Sequence, residues 1–148
     1  MINKWDERFL DMSKLVSTWS RDPSTQVGSV IVGADKRVVG VGFNGFPQKM
    51  PDLEQNYAVR EEKYSRVVHA ELNALIFANS SVSGCTVYTY PFMPCDRCFV
   101  QLVQAGIIRF VSPKATPEQL TRWGSAFDKV RQYATECGVE LVEVHYPS

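Results

Sequence analysis

Residues 86–111 read Thr-Val-Tyr-Thr-Tyr-Pro-Phe-Met-Pro-Cys-Asp-Arg-Cys-Phe-Val-Gln-Leu-Val-Gln-Ala-Gly-Ile-Ile-Arg-Phe-Val. Thr86 to Tyr90 is rich in β-branched and aromatic residues and follows the turn residues Ser83-Gly84, so it is expected as a strand. Asp96 to Ala105 carries Phe99, Val100, Leu102 and Val103 and stops at Gly106, a natural helix C-cap. Ile107 to Val111 is a short buried strand. Strands joined through a helix lie parallel, so this β-α-β unit sets the class as α/β.

The pattern continues outward on both sides. Leu120, Trp123, Phe127, Val130 and Ala134 give a long helical stripe, and Leu141, Val142 and Val144 a closing strand. Upstream, Val27–Val32 and Arg37–Phe43 flank the turn Gly33-Ala34-Asp35-Lys36 as a hairpin. Trp5, Phe9, Met12, Val16 and Trp19 recur every three or four residues, the mark of an amphipathic helix with one buried stripe, and the three tryptophans are expected as core anchors. Asp22-Pro23-Ser24 ends that helix. Residues 44–56 are expected as loop, Tyr57–Tyr64 as a short helix and His69–Ala78 as another. The order α-β-β-α-β-α-β-α-β predicts one domain over residues 1–148, with a five-stranded mixed sheet, one antiparallel hairpin and helices on both faces.

Composition narrows the partners. The chain has 148 residues, with 16 Lys plus Arg against 16 Asp plus Glu. That balance argues against a broad basic groove for a polynucleotide, whereas a small anion held by a few local cations remains compatible. No run of about 18 apolar residues is present, so no membrane partner is expected. The charged opening Met1–Arg8 lacks a signal-peptide core, and four cysteines without an export signal suit a reducing, cytoplasmic setting.

Two short strings carry the chemistry: His69-Ala70-Glu71 and Pro94-Cys95-Asp96-Arg97-Cys98. Separately each has an ordinary explanation, a helix-start histidine or a dithiol redox pair. Together they offer three ligands for a zinc ion with one open position. Cys95 and Cys98 would share one face of a helix's first turn, and His69 would come from a neighbouring helix start at the same sheet edge. Cys85, Cys137 and His145 lack ligand spacing. Glu71, two residues after His69, is placed to accept and pass on a proton. A redox protein gives no role to His69 or Glu71, and a zinc module without catalysis has no need of Glu71.

H-x-E with P-C-x-x-C is the pattern of zinc-dependent nucleobase deaminases. With Asp22-Pro23-Ser24-Thr25-Gln26-Val27-Gly28 and Gly42-Phe43-Asn44-Gly45-Phe46-Pro47, the sequence resembles the deoxycytidylate (dCMP) deaminases of the cytidine/deoxycytidylate deaminase family. The resemblance runs from Ser20 to Val111, and the compact length is similar to that of bacteriophage members, for which the setting would be host cytoplasm. It implies a cytidine-deaminase-like three-layer α/β/α sandwich and hydrolysis of dCMP to dUMP and ammonia, feeding thymidylate synthesis. It also implies a homohexamer activated by dCTP and inhibited by dTTP, with Mg²⁺ accompanying the triphosphate.

By the same resemblance, one zinc is held by His69, Cys95 and Cys98, and Glu71 is the catalytic acid–base. Asn44 contacts the nucleotide, although Phe43 stands where the family has Tyr. Ser24, Thr25 and Ala70 border the substrate, Arg21 is a candidate for the 5′-phosphate, and Arg122 and Trp123 are alternatives for phosphate and ribose. A regulatory site would draw on Gln26, Asn44, Gly45, Gln48, Lys49, Arg60 and Tyr64. Residues 45–68 contain neither Cys nor His, so no second zinc is expected. The nearest rival is the same chemistry on free cytidine or on a base in RNA or DNA.

Overall fold

The computed structural model describes residues 2–147. Helix α1 (Lys4–Ser17) starts at a capping box, in which Asn3 accepts from the amides of Trp5 and Asp6 while the Asp6 carboxylate accepts from the Asn3 amide. The hairpin β1 (Gly28–Val32) and β2 (Val38–Phe43) follows, then two short helices, α2 (Glu54–Ala58) and α3 (Arg60–Arg66). Helix α4 (Ala70–Ile76), β3 (Thr86–Tyr90), α5 (Asp96–Ala105), β4 (Arg109–Pro113), α6 (Pro117–Cys137) and β5 (Glu140–Val144) complete the chain. None of the described helices is long and apolar enough to cross a membrane.

The five strands form one mixed sheet in the order β2-β1-β3-β4-β5. Alternation along the strands divides the core between its faces. Val30, Val32, Tyr88 and Val111 pack under α1 with Phe9, Leu10 and Val16. Ile31, Val87 and Phe110 meet Ala74 of α4, Phe99 and Leu102 of α5, and Phe127 and Val130 of α6. This is the expected α/β/α sandwich.

Several details differ from the sequence reading. β1 is antiparallel to β3 as well as to β2, so there are two antiparallel pairings rather than one. The crossover through α4 passes over β1, and β2 and β3 run parallel without touching; local patterning carries no information on that insertion. Trp5 and Trp19 are not core anchors: both are exposed, Trp19 lying edge-on to Phe43. Leu10 fills the α1 interface instead. The helix expected over 57–64 is two helices, broken where Val59 takes an extended conformation. The fourth strand begins two residues later than expected, at Arg109, because Ile107 is buried as a connector.

Three features place the functional edge. Gly28 pairs with both Phe43 and Tyr90, so the segments beside residues 27, 44 and 91 meet at one end of the sheet. Gly40 and Gly42 let α4 lie directly on β2. A Cβ on Gly42 would come within 2.3 Å of the Ala74 nitrogen and 2.4 Å of the Ala70 carbonyl oxygen. Since the obstacle is backbone, Gly42→Ala is expected to push α4 away, costing about 1–3 kcal/mol and lowering zinc affinity by displacing His69. Denaturant unfolding and metal titration check this; wild-type stability in the variant would contradict the close packing. Finally, β3 ends at a cis Tyr90–Pro91 peptide, from which the chain leads to Cys95.

Candidate active site

His69 is the N-cap of α4 and Cys95 the N-cap of α5, and neither side chain caps its own helix. Both turn instead toward a shared point. His69 Nδ1 lies 3.2 Å from Cys98 Sγ and 3.6 Å from Cys95 Sγ, and the three ligand atoms fall within 4.8 Å of one another. Tetrahedral zinc, with bonds of about 2.0–2.3 Å, needs ligand separations of about 3.5–3.8 Å. The 3.6 Å pair lies in that range and the 3.2 Å pair just below it, so small side-chain shifts bring one nitrogen and two sulfurs onto the ion. Cys98 is buried, Cys95 half-buried and His69 exposed, which leaves one side of the triangle open.

The electrostatics match this donor set. The hydrogen bond with Cys98, and then His69, hold the Cys95 thiol well below its ordinary range. The same pairing pushes Cys98 up, because both sulfurs cannot cheaply ionise side by side without a cation. The hydrogen bond with Cys95 raises His69. Glu71, in the first turn of α4, is only 4% exposed, and burial pushes its carboxyl up to about 7 against the opposing pull of His69.

A single pocket joins His69, Ala70, Glu71 and Cys95 to Thr25, Asn44 and Trp123. Arg122 also lines it, its guanidinium 4.3 Å from the centre of the Trp123 ring, while Phe92 packs on the same ring. Asn44 is committed to the wall itself. Its amide nitrogen donates to the Thr25 carbonyl (2.9 Å) and to Asp22 (3.3 Å), and its oxygen accepts from the Val27 amide (2.9 Å). Asn44 thereby shapes the 22–27 loop.

The other residues singled out in sequence lie apart. Arg21 is outside this pocket, exposed and beside Asp52 at 3.8 Å. Ser24 and Gln26 face an adjoining groove that shares Thr25, Phe92, Arg122 and Trp123 with the pocket. Gly45 and Gln48 line a third groove with Phe43, Ile76 and Phe77. Lys49 is exposed, and Arg60 stacks over Tyr64, which itself reaches the pocket. The regulatory candidates thus do not converge within one chain. The sequence marked Asp22 as a helix stop and as part of a family-like string but not as a pocket residue, and it gave no role to Lys63, whose Nζ lies 2.8 Å from Asp22 Oδ2 and from Ser24 Oγ. Nothing local marks a pair 41 residues apart.

With this geometry in view, similarity becomes informative. The profile of the cytidine and deoxycytidylate deaminase zinc-binding region matches residues 3–113. The chain belongs to that family. An uncharacterized deaminase in the luxG 3′ region of Aliivibrio fischeri is 41% identical over 141 residues, covering 95% of this chain and 94% of the relative. Human deoxycytidylate deaminase is 39% identical over 119 residues, covering 75% of this chain and 66% of the human protein. In structure, the deaminase resembles the dCMP deaminase of cyanophage S-TIM5 in complex with dCMP and dUMP, with a TM-score of 0.76 at 23% identity, over 97% of this chain and 99% of that one. That likeness supports the fold. The deaminase is thus a zinc-dependent hydrolase of cytidine- or dCMP-type substrates, with His69, Cys95 and Cys98 as its zinc site.

Proposed function

We propose that the deaminase hydrolyses dCMP to dUMP and ammonia, the whole chain acting as one catalytic domain. The observation that carries this reading is the buried Glu71 carboxyl opening onto one pocket with His69 and Cys95 of the zinc triangle, Cys98 lying buried behind them. His69, Cys95 and Cys98 would hold a zinc ion, which would supply a Lewis acid to activate water. Glu71 is the proton carrier: it takes one proton from the attacking water and delivers it to ring N3, then takes the remaining proton from the hydroxyl now on C4 and delivers it to the 4-amino nitrogen, which leaves as ammonia. Burial keeps bulk water from competing for those protons. Phe92 and Trp123 offer an aromatic wall for the base, and Thr25 borders it.

A mononucleotide is favoured over a nucleoside by Arg122 at the pocket and by the deoxycytidylate deaminases among the relatives. Arg122, exposed where pocket and adjoining groove meet, is better placed for the 5′-phosphate than Arg21. Charge balance over the chain disfavours a polynucleotide. The reading extends to a homohexamer regulated by dCTP and dTTP with Mg²⁺. Because the regulatory candidates are scattered, such a site would be completed by a neighbouring subunit.

Ammonia release from dCMP, CMP, deoxycytidine, cytidine and a single-stranded oligodeoxycytidylate tests the assignment. dCMP is expected to exceed deoxycytidine in kcat/KM by about tenfold or more, the value of one charge-assisted contact to phosphate. Equal or better turnover of deoxycytidine would contradict it.

A further inference from the structure

Asp22, Thr25 and Lys63 line the pocket together. Asp22 is 4% exposed, and its Oδ1 accepts from the backbone amides of Ser24 (2.9 Å) and Thr25 (3.2 Å), fixing the turn that carries Thr25 into the pocket. Its second oxygen accepts from Asn44. Lys63 reaches across from α3 and donates to Oδ1 at 3.0 Å, to Oδ2 at 2.8 Å and to Ser24 Oγ at 2.8 Å, with its side chain only 14% exposed. Burial would raise the Asp22 carboxyl, but Lys63 and the two amides hold it below the usual carboxylate range.

Helix α3 has no buried residue of its own, and α2 buries only Tyr57. They pack chiefly on each other. Their anchors to the body are the Phe46–Tyr57 stack (4.0 Å), the Gly45–Val68 bridge and Lys63. Asp22 and Glu71 bring carboxyl groups to the pocket and Lys63 and Arg122 bring cations, of which Asp22 and Lys63 form an ion pair. Without Lys63, the Asp22 carboxylate would face an anionic substrate uncovered, and the 22–25 turn would lose its tie to α3.

We propose that Lys63 is a positioning residue. Its ammonium ties α3 to the turn at Asp22–Thr25 and cancels the Asp22 carboxylate, so that this wall of the pocket receives an anionic substrate. Lys63 acts through the 22–25 turn, its hydrogen bonds spent on Asp22 and Ser24, rather than by touching substrate. The charge-cancelling half rests on the mononucleotide reading above; the tie does not.

The test uses the zinc-loaded full chain as wild type, Lys63→Met, Lys63→Arg and Asp22→Asn/Lys63→Met, with steady-state kinetics on dCMP and deoxycytidine and amide hydrogen exchange. Lys63→Met is expected to raise KM for dCMP about tenfold or more while kcat stays within about twofold, the mark of lost ground-state binding. Deoxycytidine should be much less affected. Exchange should quicken over residues 22–27 and 54–67 and stay unchanged over 86–90. Lys63→Arg should remain close to wild type in both readouts. The double variant should recover most of the KM for dCMP, since the uncovered carboxylate is gone, while exchange over 54–67 stays fast.

A Lys63→Met protein with unaltered KM, or a double variant no better than the single one, would overturn the charge-cancelling role; the latter would mean that Lys63 binds the anion itself. Unaltered exchange over 54–67 would overturn the tie. Turnover of deoxycytidine but not dCMP by the wild type would overturn the mononucleotide reading and the charge-cancelling role with it, while exchange would still decide the tie.

Discussion

Glu71→Gln is expected to lower kcat for dCMP by about 10²-fold or more while the protein still binds one zinc per chain. Glutamine keeps the size and polarity of the side chain and removes its capacity to carry a proton. The carboxyl sits in the pocket with His69 and Cys95 and takes no hydrogen bond from another side chain among the described residues, so its protons are free for substrate. Because Glu71 is buried in the first turn of α4, folding must be checked alongside turnover, by circular dichroism and by zinc content. A folded, zinc-loaded Glu71→Gln protein with wild-type kcat would remove Glu71 from the reaction.

The second large effect is on stability. Arg109 makes a two-pronged contact with Asp6, at 2.7 and 2.8 Å, and Tyr88 donates to the same carboxylate at 2.6 Å. Asp6 is 1% exposed and belongs to α1, whereas Arg109 and Tyr88 lie on β4 and β3. The network therefore fastens α1 to the sheet from which the active-site loops emerge. Arg109→Met leaves that carboxylate buried without its cation and is expected to cost about 3–5 kcal/mol, or roughly 10–15 °C in melting temperature.

The pH dependence has a definite sign. Burial alone would raise the Asp6 carboxyl, but the hydrogen bonds from Arg109 and Tyr88 lower it from 3.8 to about 2. A group whose pKa is depressed on folding stabilises above its unfolded pKa and loses that contribution as pH falls through the folded value. With Arg109 gone, burial raises the Asp6 carboxyl, so the difference between wild type and Arg109→Met should be largest toward neutral pH, begin to shrink above pH 4 and go on shrinking to about pH 2. A difference independent of pH across that window would show that the carboxylate is not the source.

What the sequence made legible follows the chemistry. His69, Cys95, Cys98 and Glu71 stood out because zinc and proton transfer demand particular side chains at short, fixed spacings. The helices and strands between residues 86 and 144 were legible because their apolar positions keep a regular period. The insertion of β1 between β2 and β3 was hidden, since strand order depends on long-range pairing. Trp5 and Trp19 misled because a large apolar side chain on a helical stripe is expected inside, yet Leu10 and Ser13 occupy that interface. Asn44 was legible as a site residue, but its commitment to Asp22, Thr25 and Val27 was not. Lys63 sits on an otherwise wet helix, and only the fold brings it to Asp22.

The central claim is that this pocket performs zinc-dependent deamination of dCMP. The measurement that tests it most directly is product analysis of purified protein with dCMP, before and after chelation and after zinc is restored. dUMP and ammonia are expected in equal amounts from the zinc-loaded protein, none after chelation, and full recovery with one equivalent of zinc per chain. Turnover that survives complete removal of metal, or a folded zinc-loaded protein that releases no ammonia from dCMP, would contradict the account.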